Sequence, residues 1–205
     1  RDLHSFPPRR SSDLALYLAR AGVDVELLDR GLPNGEASGG NAGSLHLQLL
    51  PFDFRTDGES SPAASALPLQ KLGIELWCEL ADELQADFEL GMEGGLMLAD
   101  NEDDLEFLRG KAALEREFGV DTQLLSAAET RAMLPGVAEH VAGSAYCAGE
   151  GKINPMRATP QLLAAAMHHG TRLSPMTTVG GIESTGHGYR LATNRGTIHC
   201  RRIVN

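Results

Sequence analysis

Basic residues are in short supply. The 205-residue chain has 18 Lys and Arg against 28 Asp and Glu, a formal net charge of −10, which argues against nucleic acid or an anionic lipid surface as its main partner. Cysteine is scarcer still. Cys78, Cys147 and Cys200 stand too far apart for a disulfide framework or a metal-ligand spacing and read as buried core thiols. No apolar run approaches the roughly 18 residues of a membrane span, and the basic residues near the start are followed by no apolar signal-peptide core. A cytoplasmic, soluble, small-molecule role is the expectation. Glycine is plentiful overall but absent before Gly22.

What is present has a readable order. Residues 15–21 (ALYLARA) end an apolar helix closed by Gly22, and 23–28 (VDVELL) follow as a strand. A loop of small residues, 35–43 (GEASGGNAG), leads into an apolar extended run over 44–50. Leu69, Leu72, Leu76, Leu80, Leu84 and Phe88 recur at spacings of three and four, which predicts one long amphipathic packing helix over 68–90. Next come a strand over 94–99, a charged surface helix over 102–118, and a short helix over 126–133 with Ser126 as cap and Glu129 closing a capping box. A strand over 142–147 precedes a helix within 154–168, whose start is limited by Pro155 and Pro160. His168 and His169 end that helix, where positive charge suits the dipole. The tail holds three strand-like runs, TTVGGIES, YRLAT and TIHCRRIVN, divided by hairpin chemistry at 185–188 and 194–196. A helix–strand beginning and a late antiparallel meander predict an α/β nucleotide-binding domain interrupted by an α+β insertion.

The chemistry centres on Asp29. In a dinucleotide-binding unit the second strand ends in an acid whose carboxylate accepts hydrogen bonds from the ribose hydroxyls, about 20 residues beyond a glycine-rich turn. Asp29 occupies that position, and Arg30-Gly31 gives it a suitable exit. The turn itself is missing. Residues 1–14 read RDLHSFPPRRSSDL, without an apolar strand or a glycine, so neither the first strand nor a pyrophosphate cradle can be built from them.

From Ala15 onward the chain resembles the D-amino-acid oxidase-like superfamily of FAD-dependent oxidoreductases, which includes glycine and sarcosine oxidases and amino-acid dehydrogenases. The segments that carry the resemblance are ALYLARAGVDVELLDRG, ASGGNAG, GEGKINPMRATPQLLAAA and TTVGGI. It implies FAD as cofactor, with Asp29 on the ribose and Arg30 beside the adenosine. Ser38, Asn41, Ala42 and Gly43 match the loop that runs under the pyrophosphate toward the flavin, where small residues let the backbone approach. By the same analogy His46 lies near the flavin, to orient substrate, to bias flavin electrostatics, or simply to satisfy a backbone group. Val179 matches a position whose backbone contacts adenine. The stretch 150–155 (EGKINP) resembles the amine-dehydrogenase and opine-oxidase-like branch, with Lys152 read as solvated.

The family's three glycines would fall on Phe6, Pro8 and Ser11, and Pro8 has no N–H to offer. Residues 1–14 are therefore expected to be a non-native segment, with the parent enzyme cut at both ends. The expected domains are a partial FAD-binding part over 15–50 and 150–205, lacking its first strand and glycine turn, and a substrate or insertion part over 51–149.

The implied reaction is oxidation of the carbon–nitrogen bond of an amino acid or secondary amine by hydride transfer to flavin N5, with no dedicated base. A different class is a non-catalytic nucleotide-binding or scaffold subunit of a heteromeric dehydrogenase. A pyridine-nucleotide dehydrogenase leaves the ASGGNAG loop and the meander unexplained. Expected partners are the small-molecule substrate and further subunits, with peripheral membrane association if the parent is a respiratory-chain dehydrogenase.

Overall fold

The computed structural model describes residues 10–57 and 62–204. Phe6, Pro8 and most of the stretch read as non-native lie outside them. In chain order the elements are α1 (Arg10–Arg20), β1 (Glu26–Leu28), β2 (Ser44–Leu45), α2 (Pro51–Asp57), α3 (Pro62–Ser65), α4 (Leu67–Leu84) and β3 (Gly95–Ala99). They continue as α5 (Glu102–Glu117), β4 (Thr122–Ser126), α6 (Ala127–Met133), β5 (Gly143–Cys147), β6 (Gly151–Lys152) and α7 (Pro155–His168). The last four are β7 (Arg172–Ser174), β8 (Val179–Thr185), β9 (Gly188–Thr193) and β10 (Gly196–Cys200). The class is mixed α/β. The chain forms two compact units, one of Arg1–Gly43, Ala86–Phe88 and Asn154–Asn205, the other of Ser44–Gln85 and Glu89–Ile153.

In the first unit α1 buries Ala15, Leu16 and Ala19 and packs on α7, which buries Ala158, Leu162, Leu163 and Ala166. Helix α1 begins at Arg10, so residues 10–14 of the stretch read as non-native are helical. Its C-terminus takes the Val23 amide, which donates to the Leu18 carbonyl at 3.0 Å. The run 23–28 is therefore shortened to the three residues of β1, because its first residue serves the helix end and not the ladder. Strand β1 lies parallel to β7, with Leu27 opposite Leu173. Helix α7 starts where the prolines allow: the Asn154 side chain caps it by accepting the Met156 amide, and Pro155 takes the first turn. Pro160 is carried inside the helix. The meander is an antiparallel sheet in the order β10-β9-β8, with Ile182, Leu191 and Ile198 in one cross-strand row. The last run ends its pairing at Cys200, and residues 202–204 are not strand.

In the second unit the sheet order is β3-β5-β4, all antiparallel. Ala99, Leu108 and Ala145 form a core under α5, joined by Met97, Leu105, Phe107 and Leu124. Helix α4 is shorter and turned differently from its sequence pattern. It stops at Leu84 because Gln85 takes a left-handed conformation, φ 49°, and closes the end with its own N–H. Its buried residues are Leu67, Ile74 and Leu80, while Leu69, Leu72 and Leu76 of the predicted stripe are exposed. The box at α6 is as predicted: Ser126 Oγ accepts the Glu129 amide, and Glu129 Oε2 accepts the Ser126 amide at 2.8 Å. Helix α5 departs from a solvated charged helix in one respect. Lys111 and Glu115 are completely buried. The extended run after Gly43 pairs over Ser44 and Leu45 alone, with Lys152 and Gly151 of β6.

Candidate functional site

Asp29 follows β1 directly and is fixed by its main chain on both sides. Its amide donates to the Ser174 carbonyl at 3.2 Å, and its carbonyl accepts the Thr177 amide at 2.7 Å. Its Oδ1 accepts the Gly31 amide at 2.8 Å, a local turn that aims the half-buried carboxylate. A cleft in the first unit is lined by Leu27, Asp29, Asn34, Ser38, Thr159, Leu163 and Leu173, among others. Two of these carry unmet polarity. Asn34 Oδ1 and Thr159 Oγ1 are buried and have no hydrogen-bond partner, at a cost of about 1–3 kcal/mol each. Asn34 sits at φ 65°, and its Nδ2 donates to the Pro155 carbonyl at 3.4 Å.

The other loop residues hold the loop together. Asn41 Nδ2 donates to the Ser38 carbonyl at 2.7 Å, and Asn41 Oδ1 accepts the Gly43 amide at 2.9 Å. Gly43 is buried at φ 70°, a conformation that a side chain would strain. Ala42 is exposed. Arg30 is exposed and turns to Glu36, Nη2 to Oε2 2.9 Å. Val179 opens β8 opposite Thr193, with a register shift just after it. It does not line the cleft. Of the predicted residues, then, the cleft gathers Asp29 and Ser38, while Asn41 and Gly43 shape the loop behind Ser38. Asn34 and Thr159 were missed. A turn asparagine in LPNGE and a threonine on an apolar helix face carry no signal of unmet hydrogen bonds.

His46 belongs to the second unit, three residues beyond Gly43 in sequence. Its Nδ1 lies 3.5 Å from Glu150 Oε1. That oxygen also accepts the amides of Leu47 at 2.7 Å and Gln48 at 2.8 Å, while Glu150 Oε2 accepts Gln48 Nε2 at 3.1 Å. Gln48 Oε1 receives Lys111 Nζ at 3.2 Å, and Lys111 binds Glu115 at 2.7 Å. Glu115 in turn accepts the Leu49 amide at 2.6 Å and the Thr122 hydroxyl at 2.6 Å. The carboxylate of Glu150 raises the His46 pKa above its ordinary value, against a smaller downward effect of burial. For Glu150 burial pushes upward, but the nearby His46 ring and the hydrogen bonds from Gln48 and Leu47 outweigh it and leave the carboxyl below its ordinary range. Leu105, Leu108, Lys111, Ala112 and Glu115 share one helix face, but the partners that bring the two charges inside come from distant segments.

A parallel strand pair with an acid at the end of β1 and a small-residue loop beyond it defines an α/β dinucleotide-binding class. Within that class the match is specific: the model of the family described as FAD dependent oxidoreductase covers residues 14–205, and the chain belongs to that family. It is 29% identical over 196 residues to glycine oxidase from Geobacillus kaustophilus, covering 93% of this chain and 50% of that protein. The crystal structure of glycine oxidase from Geobacillus kaustophilus superposes with a TM-score of 0.82 at 28% identity, over 95% of this chain and 51% of that one. An opine oxidase subunit from Agrobacterium tumefaciens is 31% identical over 129 residues, 61% of this chain and 35% of that protein. Glycerol 3-phosphate dehydrogenase of Caloramator mitchellensis is 27% identical over 148 residues, 72% of this chain and 30% of that protein. The chain thus spans half or less of the length of these relatives.

The residues suit FAD unevenly. Asp29 and Ser38 line a cleft with the apolar Leu27, Leu163 and Leu173 and with Asn34 and Thr159, whose side-chain oxygens are buried without a partner, a mix of polar and apolar lining that suits a nucleotide's ribose end. The positions where a glycine turn is expected hold Phe6, Pro8 and Ser11. Among the described residues no group of His, Cys, Asp and Glu is arranged to hold a metal, and no helix is long and apolar enough to cross a membrane.

Proposed function

We propose that the chain is part of an FAD-dependent oxidoreductase that oxidises the carbon–nitrogen bond of an amino acid or secondary amine. The observation that carries this is the cleft at the end of β1, where Asp29 stands beside two buried oxygens without partners, in a chain similar along 93% of its length to a glycine oxidase. When bound, FAD would supply the hydride acceptor for oxidation at the substrate's α-carbon. The chain's own part is to hold and orient. Asp29 accepts from ribose hydroxyls, with Arg30 beside the adenosine. The loop of Ser38, Asn41, Ala42 and Gly43 offers closely approaching backbone toward the diphosphate, and Val179 contributes a backbone contact to adenine. On this reading the expected FAD-binding part, 15–50 and 150–205, corresponds mainly to the first unit, and 51–149, apart from Ala86–Phe88, lies in the second, which serves the substrate.

A second reading has its own observation. Phe6, Pro8 and Ser11 in place of a glycine turn, together with similarity to one subunit of an opine oxidase, favour a partner-dependent or non-catalytic chain. Quenching of flavin fluorescence by the purified chain separates the two. The comparison is with a glycine variant, in which residues 1–14 are replaced by an apolar strand and a G-x-G-x-x-G turn, and with Asp29→Ala in that background. Tighter FAD binding by the glycine variant, lost about 10- to 150-fold on removing Asp29, supports the enzyme reading, since a hydrogen bond to a charged group contributes about 1.5–3 kcal/mol. A folded glycine variant that leaves flavin fluorescence unchanged overturns it in favour of the second.

A further inference from the structure

Met156 stands in the first turn of α7 with its backbone held, since its amide donates to Asn154 Oδ1 at 2.9 Å. Its side chain is open to solvent, the residue being 60% exposed. The sulfur nevertheless sits against the cleft's own loop. Asn34 Nδ2 donates to Met156 Sδ at 3.6 Å, and a Cβ on Gly39 would meet Sδ at 2.9 Å, so that side of the sulfur is filled by backbone. The same Nδ2 reaches the Pro155 carbonyl at 3.4 Å, and Asn34 Oδ1 is buried without a partner. Asn34 lines the cleft beside Asp29, whereas Met156 lies behind it. A thioether sulfur is a weak acceptor, so the side chain that sets Asn34 is one whose hydrogen bonding a single added oxygen would change.

We propose that Met156 is an oxidation site through which hydrogen peroxide rearranges the Asp29 cleft. In this step a sulfur lone pair attacks one oxygen of the peroxide, the O–O bond breaks, and an S–O bond forms. The proton on the attacked oxygen passes to the departing hydroxide, which leaves as water; the sulfur is oxidised to the sulfoxide and the peroxide is reduced. Gly39 fills the loop side of the sulfur, so the new oxygen is directed to the side of Asn34 and solvent. There it is a full acceptor in place of a weak one. Asn34 Nδ2 follows it, gives up the Pro155 carbonyl and turns Oδ1 out of its buried place. The backbone cannot absorb the change, because the Met156 amide is capped and Gly39 is already in contact. The chemistry at sulfur stands by itself, and its meaning as regulation of cofactor binding rests on the FAD reading of the cleft.

The test treats the nitrogen-15-labelled chain with dilute hydrogen peroxide and maps the added oxygen by mass spectrometry of its peptides, with the exposed Met133, Met167 and Met176 as internal controls. Asn34→Asp assigns the Asn34 side-chain amide signal in the NMR spectrum. Met156 is expected to gain one oxygen and the Asn34 signal to move, and methionine sulfoxide reductase should reverse both. In Met156→Leu the same treatment leaves the Asn34 signal in place. An unmodified Met156 beside oxidised controls overturns the proposal, and so does an oxidised Met156 with an unmoved Asn34 signal; both are read on the wild-type chain, whether or not the leucine variant folds. In the glycine variant, oxidation should weaken flavin binding about 2- to 10-fold, the size of one neutral hydrogen bond, and only where Met156 is present. Equal flavin binding before and after oxidation overturns the regulatory role while the FAD reading survives. A glycine variant that ignores FAD from the outset removes that reading and the regulation with it, while the response of Asn34 to peroxide is decided separately.

Discussion

Around Lys111 in the second unit, charges are buried completely and each finds a partner within 3.2 Å. Around Asp29 in the first unit, neutral oxygens on Asn34 and Thr159 are buried and find none. The same physics gives both regions opposite meanings. A polar group taken out of water and paired costs little net free energy and fixes geometry, whereas one taken out and left alone costs energy that the apo chain does not recover. The paired region is structural support, and on the proposed reading the unpaired one is where a nucleotide would bind. The difference is sharp enough to be broken by substitution.

The largest effect is expected at Lys111. Lys111→Met leaves the Glu115 carboxylate buried without its cation and should remove about 3–5 kcal/mol of stability, read from urea unfolding. The double variant with Glu115→Leu should recover part of that loss; no recovery would mean that the pair is not the unit of stability. Gly95→Ala comes next, since the new Cβ must displace the Glu150 carboxylate, and overpacking of this kind costs about 1–3 kcal/mol. Thr159→Val should run the other way. It removes an unpaired hydroxyl at constant shape, so the apo chain should gain up to about 1 kcal/mol, while flavin quenching weakens. A loss of stability there would show that Thr159 already has a partner, and the contrast between the two regions would collapse.

The smallest effect is one of pH. The raised pKa of His46 contributes stability that is fully present below about pH 6.5, the unfolded value, and is lost as pH rises through the folded value. The lowered pKa of Glu150 contributes stability that is present above about pH 4.5 and is lost as pH falls through its folded value. The stability difference between wild type and His46→Gln should therefore be greatest between these limits and shrink above the His46 midpoint. A difference flat from about pH 5 to about pH 9, on the order of measurement error, would remove the coupling.

Local rules made much of this fold legible in advance. Ser126 and Glu129 announce α6, Asn154 and Pro155 announce the start of α7, and the glycine turns announce the meander, because caps and turns are decided by residues a few positions apart. What stayed hidden depends on distant neighbours. Leu69, Leu72 and Leu76 have helical spacing, yet the face α4 buries is decided by packing, and Lys111 and Glu115 go inside because Gln48, Leu49 and Thr122 come to meet them. In the site, Asp29 was legible from its place after a strand. The unpaired oxygens of Asn34 and Thr159 were not, since an absence of partners has no sequence pattern.

The β1–β7 pair has one more consequence. Ser174 meets Glu26 across 148 residues of chain, so the β1–β7 pairing waits until those residues have been made. At about 5–20 residues per second, translation leaves that strand waiting roughly 7–30 s. The second unit is fully synthesised once Ile153 has emerged, while α1 and β1 must still wait for α7 and β7. Synthesis on the ribosome thus runs against assembly: the segment carrying Asp29 is made well before β7, the strand that pairs with it.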